Sequence, residues 1–103
     1  MSKKDGMRPV HPGEVLREEY LVPLDMTPNA LAKALHVTPA RINEIVREKR
    51  GVTPDTALRL SRYFGGDPRS WLNLQLAYDL KVAETALSAE IKKEIRPLQA
   101  VLT

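Results

Sequence analysis

Residues 27–46 read TPNALAKALHVTPARINEIV, and the pattern of this stretch decides the fold. Leu31, Ala32 and Leu35 recur at helical spacing and give one short helix an apolar face. Ile42, Ile45 and Val46 do the same for a second. Thr27 and Thr38 stand at N-cap positions, and each precedes a proline at the first helical position, where a missing N–H costs no hydrogen bond. His36-Val37 makes the turn between them. Ala32 suits a close crossing of the two helices. His36 stands where such a turn usually carries a left-handed glycine, a conformation histidine visits more readily than a β-branched residue. This is the helix-turn-helix layout, in which the second helix enters the major groove of DNA.

The outward face of that second helix carries Pro39, Ala40, Arg41, Asn43, Glu44 and Arg47. Arginine and asparagine can bond base edges in bidentate fashion, so Arg41 and Asn43 are the expected base readers, exposed and early in the helix. Any helical hairpin shows the same periodicity, and a merely solvated face would also hold Arg41 and Arg47. Charge separates the two readings. The chain carries a formal +3. Residues 27–50 hold Lys33, Arg41, Arg47, Lys49 and Arg50 against Glu44 and Glu48, so the whole positive excess lies on the motif. A phosphate-binding surface needs it there. Lys49-Arg50-Gly51 ends the second helix in cations and a glycine, which also fits a helix C-cap.

At 103 residues the chain makes one domain with a single modest core. A sequence pI of about 9.4 fits a nucleic-acid binder without requiring one. There is no cysteine, which excludes disulfides and thiolate chemistry. No apolar run has the length of a membrane span, and MSKKDGMRPV lacks the apolar core of a signal peptide, so a cytoplasmic protein is expected.

Pro12, Pro28, Pro39, Pro54 and Pro68 each stand one residue after a helix entry. Thr27, Thr38, Thr53 and Asp67 are good caps for four of them; His11 is a poor one. The punctuation predicts an all-α fold of five helices: about Pro12 to Leu21, Pro28 to Leu35, Pro39 to Glu48, Pro54 to Phe64, and Pro68 to about Ala83. Gly51 and Gly65-Gly66 mark stops. Residues 1–10 form a polar, basic, mobile segment, residues 11–83 the DNA-binding and dimerisation domain, and residues 84–103 a C-terminal extension.

Val15, Leu16 and Tyr20 face the core from the first helix, and Ala57, Leu60 and Phe64 from the fourth, with Leu58 off that stripe. The fifth helix is apolar on two faces. Trp71, Leu74 and Tyr78 form one stripe, and Leu72, Leu76, Leu80 and Ala83 another. One face packs on the domain and the other on a second copy, with Leu72, Leu76 and Leu80 at the dimer interface; the alternative is a C-terminal segment folded back over them. Ser88 is placed to cap a separate short helix bearing Ile91 and Ile95, closed by Pro97, with Leu98, Val101 and Leu102 as an apolar tail. That tail suits extra dimer interface, a partner-binding element or a disordered end, and the sequence does not choose among them.

Little in the pattern points to catalysis, and only nuclease-like Arg/Lys chemistry would leave room for it. His11 and His36 lack a carboxylate at metal-ligand spacing, and the HExxH, P-loop and GxSxG patterns are absent. No catalytic residue, metal or cofactor is expected.

Two longer motifs carry a family resemblance. HPGEVLREEYL at residues 11–21, and INEIVREKRGVTPDTALRLSRYFGGDPRSWLNLQLAYDL at residues 42–80, resemble the HigA-type antitoxins; the middle resembles the wider Xre/Cro class of helix-turn-helix repressors. The match covers about residues 8–83. It implies a five-helix lambda-repressor-like domain, a homodimer, and binding of double-stranded DNA at a palindromic operator upstream of its own operon. It also implies a RelE-like, messenger-RNA-cleaving toxin as partner. Carried onto this chain, base contacts fall on Thr38, Ala40, Arg41, Asn43 and Arg47. Phosphate contacts fall on Thr27 and Asn29, with Lys49 and Arg50 added by their charge. Pro28 replaces a glutamine common in the wider class, so that glutamine's bond to the recognition helix is not expected. A free-standing repressor without a toxin shares every one of these features, and a helical protein-binding adaptor would leave the basic face without a role.

Overall fold

The computed structural model describes residues 8–98, and among them every regular element is helical. Helix α1 begins as an α-helix (Pro12–Val15), widens into a π-helical stretch (Leu16–Leu21) and closes with one α-turn (Val22–Leu24). Helices α2 (Pro28–Leu35), α3 (Pro39–Val46), α4 (Pro54–Phe64) and α5 (Pro68–Glu94) follow. The five expected helices are present, and each expected proline occupies the first helical turn.

The caps explain where each helix starts. Thr27 Oγ1 accepts from Ala30 N at 3.0 Å, Thr38 Oγ1 from Arg41 N at 3.2 Å, Thr53 Oγ1 from Thr56 N at 3.4 Å, and an Asp67 carboxylate oxygen from Arg69 N at 2.9 Å. His11 corrects the sequence reading. Its Nδ1 accepts from Gly13 N at 2.8 Å, so histidine caps α1 after all. Burial makes this possible: His11 is 3% exposed, and its ring meets Tyr78 of α5 edge-on at 4.7 Å.

Two helices run further than their sequence pattern suggested. Helix α1 continues past Leu21 to Leu24 despite Pro23. The turn before the proline is π-wound, with Val22 N–H donating to Arg17 O five residues back. The wider turn relieves the clash of a proline ring with the carbonyl of the preceding turn. Asp25, in the left-handed conformation, then stops the helix. Helix α5 does not end near Ala83 but runs 27 residues to Glu94. Ser88 lies inside it and caps nothing. The apolar stripe is therefore not covered by a folded-back segment among the described residues. Val101 and Leu102 of the expected tail, and residues 1–7 of the expected mobile segment, lie outside the described residues.

The core gathers one face of each helix. Leu16, Leu31, Ala32, Ile42, Ile45, Ala57 and Leu60 are fully buried, with Leu35, Val46, Val52 and Trp71 nearly so. Each large aliphatic buried this way contributes about 1.5–3 kcal/mol. Tyr20 bridges α1 to the rest, its ring 4.7 Å from Phe64 and 5.4 Å from Trp71. Gly13 of α1 is pressed against the end of α3 so closely that a Cβ there would lie 1.7 Å from Ile45 O.

In α5 only Trp71 is buried. Leu72 and Leu74 are half-buried against the core, whereas Leu76 and Leu80 are exposed at 65% and 55%. Leu72 thus departs from the expected stripe, because its position in the first turns lies over the domain. From residue 84 onward the helix is exposed on every face.

Candidate nucleic-acid interface

Helices α2 and α3 meet through the turn at His36, whose φ of 59° is the left-handed conformation expected there. Val37 N donates to Ala32 O at 3.0 Å and His36 N to Lys33 O at 3.2 Å, so the last carbonyls of α2 are satisfied inside the turn. Arg59 of α4 reinforces it by donating to Leu35 O at 2.8 Å. Ile42, Ile45 and Val46 bury the inner face of α3, which leaves the opposite face to solvent.

The end of α3 differs from the expected glycine cap. The helix stops at Val46, and the left-handed residue is Glu48, with φ 62°. Glu48 N donates to Ile45 O at 2.9 Å and Lys49 N to Glu44 O at 2.8 Å, a closed C-terminal turn. Arg17 of α1 donates to Val46 O and holds Glu48 at 3.4 Å. Gly51 serves packing instead: a Cβ there would lie 2.9 Å from the side chain of Gln75, whose Oε1 accepts from Val52 N at 2.7 Å.

Of the residues assigned to base reading, Thr38, Ala40 and Arg47 are exposed. Arg41 and Asn43 are half-buried, not fully exposed as their place on the helical wheel implied. Both are held by neighbours. Asn43 Nδ2 donates to Asn29 Oδ1 and to Pro39 O, each at 2.8 Å. The tie between α2 and α3 that Pro28 was expected to forfeit is thus supplied one residue later, by Asn29. Arg41 Nη1 donates to Asp55 at 2.5 Å and to Thr56 Oγ1 at 3.3 Å. The residues assigned to phosphate, Thr27, Asn29, Lys49 and Arg50, are all exposed. Arg50 is paired with Glu44 at 2.9 Å.

Asp55 and Arg59 were missed by the sequence reading. Asp55 accepts from Arg41 and, through both oxygens, from Arg59 Nε at 3.2 Å. Hydrogen bonds from Arg41 and then Arg59 hold its carboxyl below the usual carboxylate range. The Asp55–Arg59 spacing of four residues in a helix was a readable signal; the tie to Arg41 was not, because it spans two helices. Among the described residues no group of three or more His, Cys, Asp or Glu is placed to hold a metal. No described helix is long and apolar enough to cross a membrane.

The helix-turn-helix family model matches residues 16–71, the span from α1 to the start of α5 that builds this face. Virulence-associated protein I of Dichelobacter nodosus is 70% identical over 81 residues, covering 79% of this chain and 75% of that protein. Antitoxin HigA-1 of Vibrio cholerae is 35% identical over 97 residues, covering 93% of this chain and 90% of that one. The chain belongs to the HigA-type helix-turn-helix family. Among solved structures, the Pseudomonas aeruginosa antitoxin HigA with the higBA promoter superposes with a TM-score of 0.86. It is 49% identical, over 88% of this chain and 99% of its own. The HigA-type fold accounts for the shared architecture from α1 to α5.

Proposed function

We propose that this chain is a DNA-binding antitoxin that represses its own operon and neutralises a RelE-like, messenger-RNA-cleaving toxin. The observation that carries the DNA half is the open face of α3. Thr38, Ala40 and Arg47 are exposed along it, Asn43 and Arg41 are held at its edge, and Lys49 and Arg50 follow its end. Related HigA has been solved on a promoter, which supports the same use of the face here. In this reading Thr27, Asn29, Lys49 and Arg50 take phosphates, and Thr38, Ala40, Arg41, Asn43 and Arg47 meet base edges.

The protein acts as a cytoplasmic homodimer on a palindromic operator. Leu76 and Leu80, exposed on α5, are the apolar surface that a second copy covers, with the half-buried Leu72 at its margin. Two recognition helices related by a twofold axis then reach half-sites about one DNA turn apart. No step of this function asks the chain for catalysis.

The test is a mobility shift on the DNA upstream of its own reading frame, run over a series of salt concentrations, together with co-expression of any small basic protein encoded by an adjacent reading frame. Operator preference with affinity falling as salt rises supports the repressor. Co-purification and growth rescue support the antitoxin. Operator binding without any toxin partner leaves a free-standing repressor. Protein partners with no DNA binding would make the chain a helical adaptor.

A further inference from the structure

Arg41 reaches its partners through one nitrogen. Nη1 donates to both Asp55 and Thr56 Oγ1, which leaves the edge formed by Nε and Nη2 without a partner among the described residues. That edge carries two parallel donors, the arrangement that matches O6 and N7 of a guanine in the major groove. Asp55 is itself held by a second arginine. Arg59 Nε donates to both of its oxygens at 3.2 Å, and Arg59 Nη1 donates to Leu35 O at the end of α2. A chain of hydrogen bonds therefore runs from the end of α2 through Arg59 and Asp55 to Arg41. Arg41, Asp55 and Arg59 line one groove between α3 and α4, in which Asp55 is the acidic side chain.

We propose that Asp55, braced by Arg59, is the positioning residue that makes Arg41 a guanine reader. By holding Nη1 it fixes the rotamer of a long, flexible side chain and aims the Nε–Nη2 edge outward. The same carboxylate neutralises Arg41 toward phosphates, so Arg41 adds little to binding of unrelated sequence. Specificity then comes from a residue that touches no DNA. The inference rests on α3 being the recognition helix.

The test uses the full-length protein and its operator. Salt titrations measure affinity for wild-type operator, for operators with each G·C pair exchanged for A·T, and for random DNA. For wild type, one exchange in each half-site should cost on the order of tenfold, and Arg41→Ala should abolish that cost. Asp55→Asn removes the charge and keeps the shape. It should cut discrimination at that same base pair by about threefold or more, while random DNA binds more tightly and its salt slope steepens by about one unit as Arg41 becomes free for phosphate. In an Arg41→Ala background, Asp55→Asn should no longer change base preference.

A general effect of charge predicts something different. Operator and random DNA would then tighten equally, with or without Arg41, and that result overturns the proposal. Unchanged base preference in Arg41→Ala also overturns it, while leaving operator binding intact. If wild type shows no operator preference at all, the recognition-helix reading fails first. Circular dichroism of each variant, and Asp55→Glu as a charge-retaining control that restores at least part of the discrimination, separate these outcomes from misfolding.

Discussion

Asn43 Nδ2 donates to Asn29 Oδ1 across 2.8 Å, so the two helices of the motif are tied through their outer faces as well as through the core. The second Nδ2 hydrogen goes to Pro39 O. Both donors of the amide are thereby engaged, and Oδ1 is the atom left for a ligand. Asn43 is expected to accept from an exocyclic amino group, N6 of adenine or N4 of cytosine, and not to grip adenine in bidentate fashion. Asn43→Ala should weaken operator binding by about 1–3 kcal/mol and relax preference at one base pair. Asn29→Ala should cost about 0.5–1.5 kcal/mol of binding, by leaving Asn43 loose and by removing a phosphate contact. Anisotropy titrations against single-pair operator variants check both, and affinities equal to wild type for the two variants would refute the arrangement.

Lys49 and Arg50 follow α3, but their situations differ. Arg50 is paired with Glu44, and Lys49 has no ion pair among the described residues. Lys49→Ala should reduce the slope of log affinity against log salt by about one unit and weaken binding uniformly across sequences. Arg50→Ala should reduce it less. A sequence-selective loss for Lys49→Ala would assign that residue to a base instead.

Gly13 lies where α1 meets the end of α3, and a methyl group there would sit 1.7 Å from Ile45 O. The obstacle is backbone, so one of the helices must shift. Gly13→Ala should destabilise the fold by about 3 kcal/mol, read by urea denaturation. A variant as stable as wild type would show that α1 slides freely on α3.

His11 should make stability depend on pH. Desolvation by burial lowers its pKa from the ordinary 6.5, against the opposing pull of Glu48 and Asp79. Nδ1 accepts from Gly13 N, a bond that only the neutral ring can make. Below 6.5 the unfolded chain therefore binds more protons than the native state, and stability falls as pH falls toward and through the native pKa. Protonation of Nδ1 also removes the cap of α1, which is worth about 0.5–2 kcal/mol. Asn at this position can cap without titrating. Melting curves from pH 7.5 to 5, buffers of about equal ionic strength, should slope for wild type and be flatter for His11→Asn. Parallel curves would refute the assignment.

Leu76 and Trp71 lie on the same helix, and their substitutions should fail in different ways. Leu76 is 65% exposed, so Leu76→Asp should stay helical by circular dichroism while light scattering shows loss of the dimer and operator affinity drops steeply. Trp71 is buried, and Trp71→Ala should cost about 3–5 kcal/mol of stability. Wild type that is monomeric at micromolar concentration would overturn the dimer.

Helix starts were legible because capping is local. A threonine or aspartate before a proline satisfies the first N–H groups within three residues, so Thr27, Thr38, Thr53 and Asp67 could be recognised with no knowledge of the rest of the chain. The buried faces of α2 and α3 were legible for a similar reason, since Leu31, Ala32, Leu35, Ile42, Ile45 and Val46 repeat with the helical period. The left-handed residue in the turn, His36, was also set by its neighbours in sequence.

Tertiary structure decided what depends on partners far along the chain. His11 caps α1 because burial against Tyr78 orients its ring, 67 residues away in sequence by position number. Two departures were local instead: α1 passes Pro23 through a π-wound turn, and α5 continues through Ser88 with no neighbour among the described residues packed on it there. Above all, the sequence placed Arg41 and Asn43 on an outward face but could not say what held them there. Asp55, Arg59 and Asn29 lie 14, 18 and 14 positions away, and only the packing of α2 and α4 beside α3 brings their polar atoms within hydrogen-bond reach. Periodicity assigns a residue to a face; the direction of its donors is set by whatever folds up next to it.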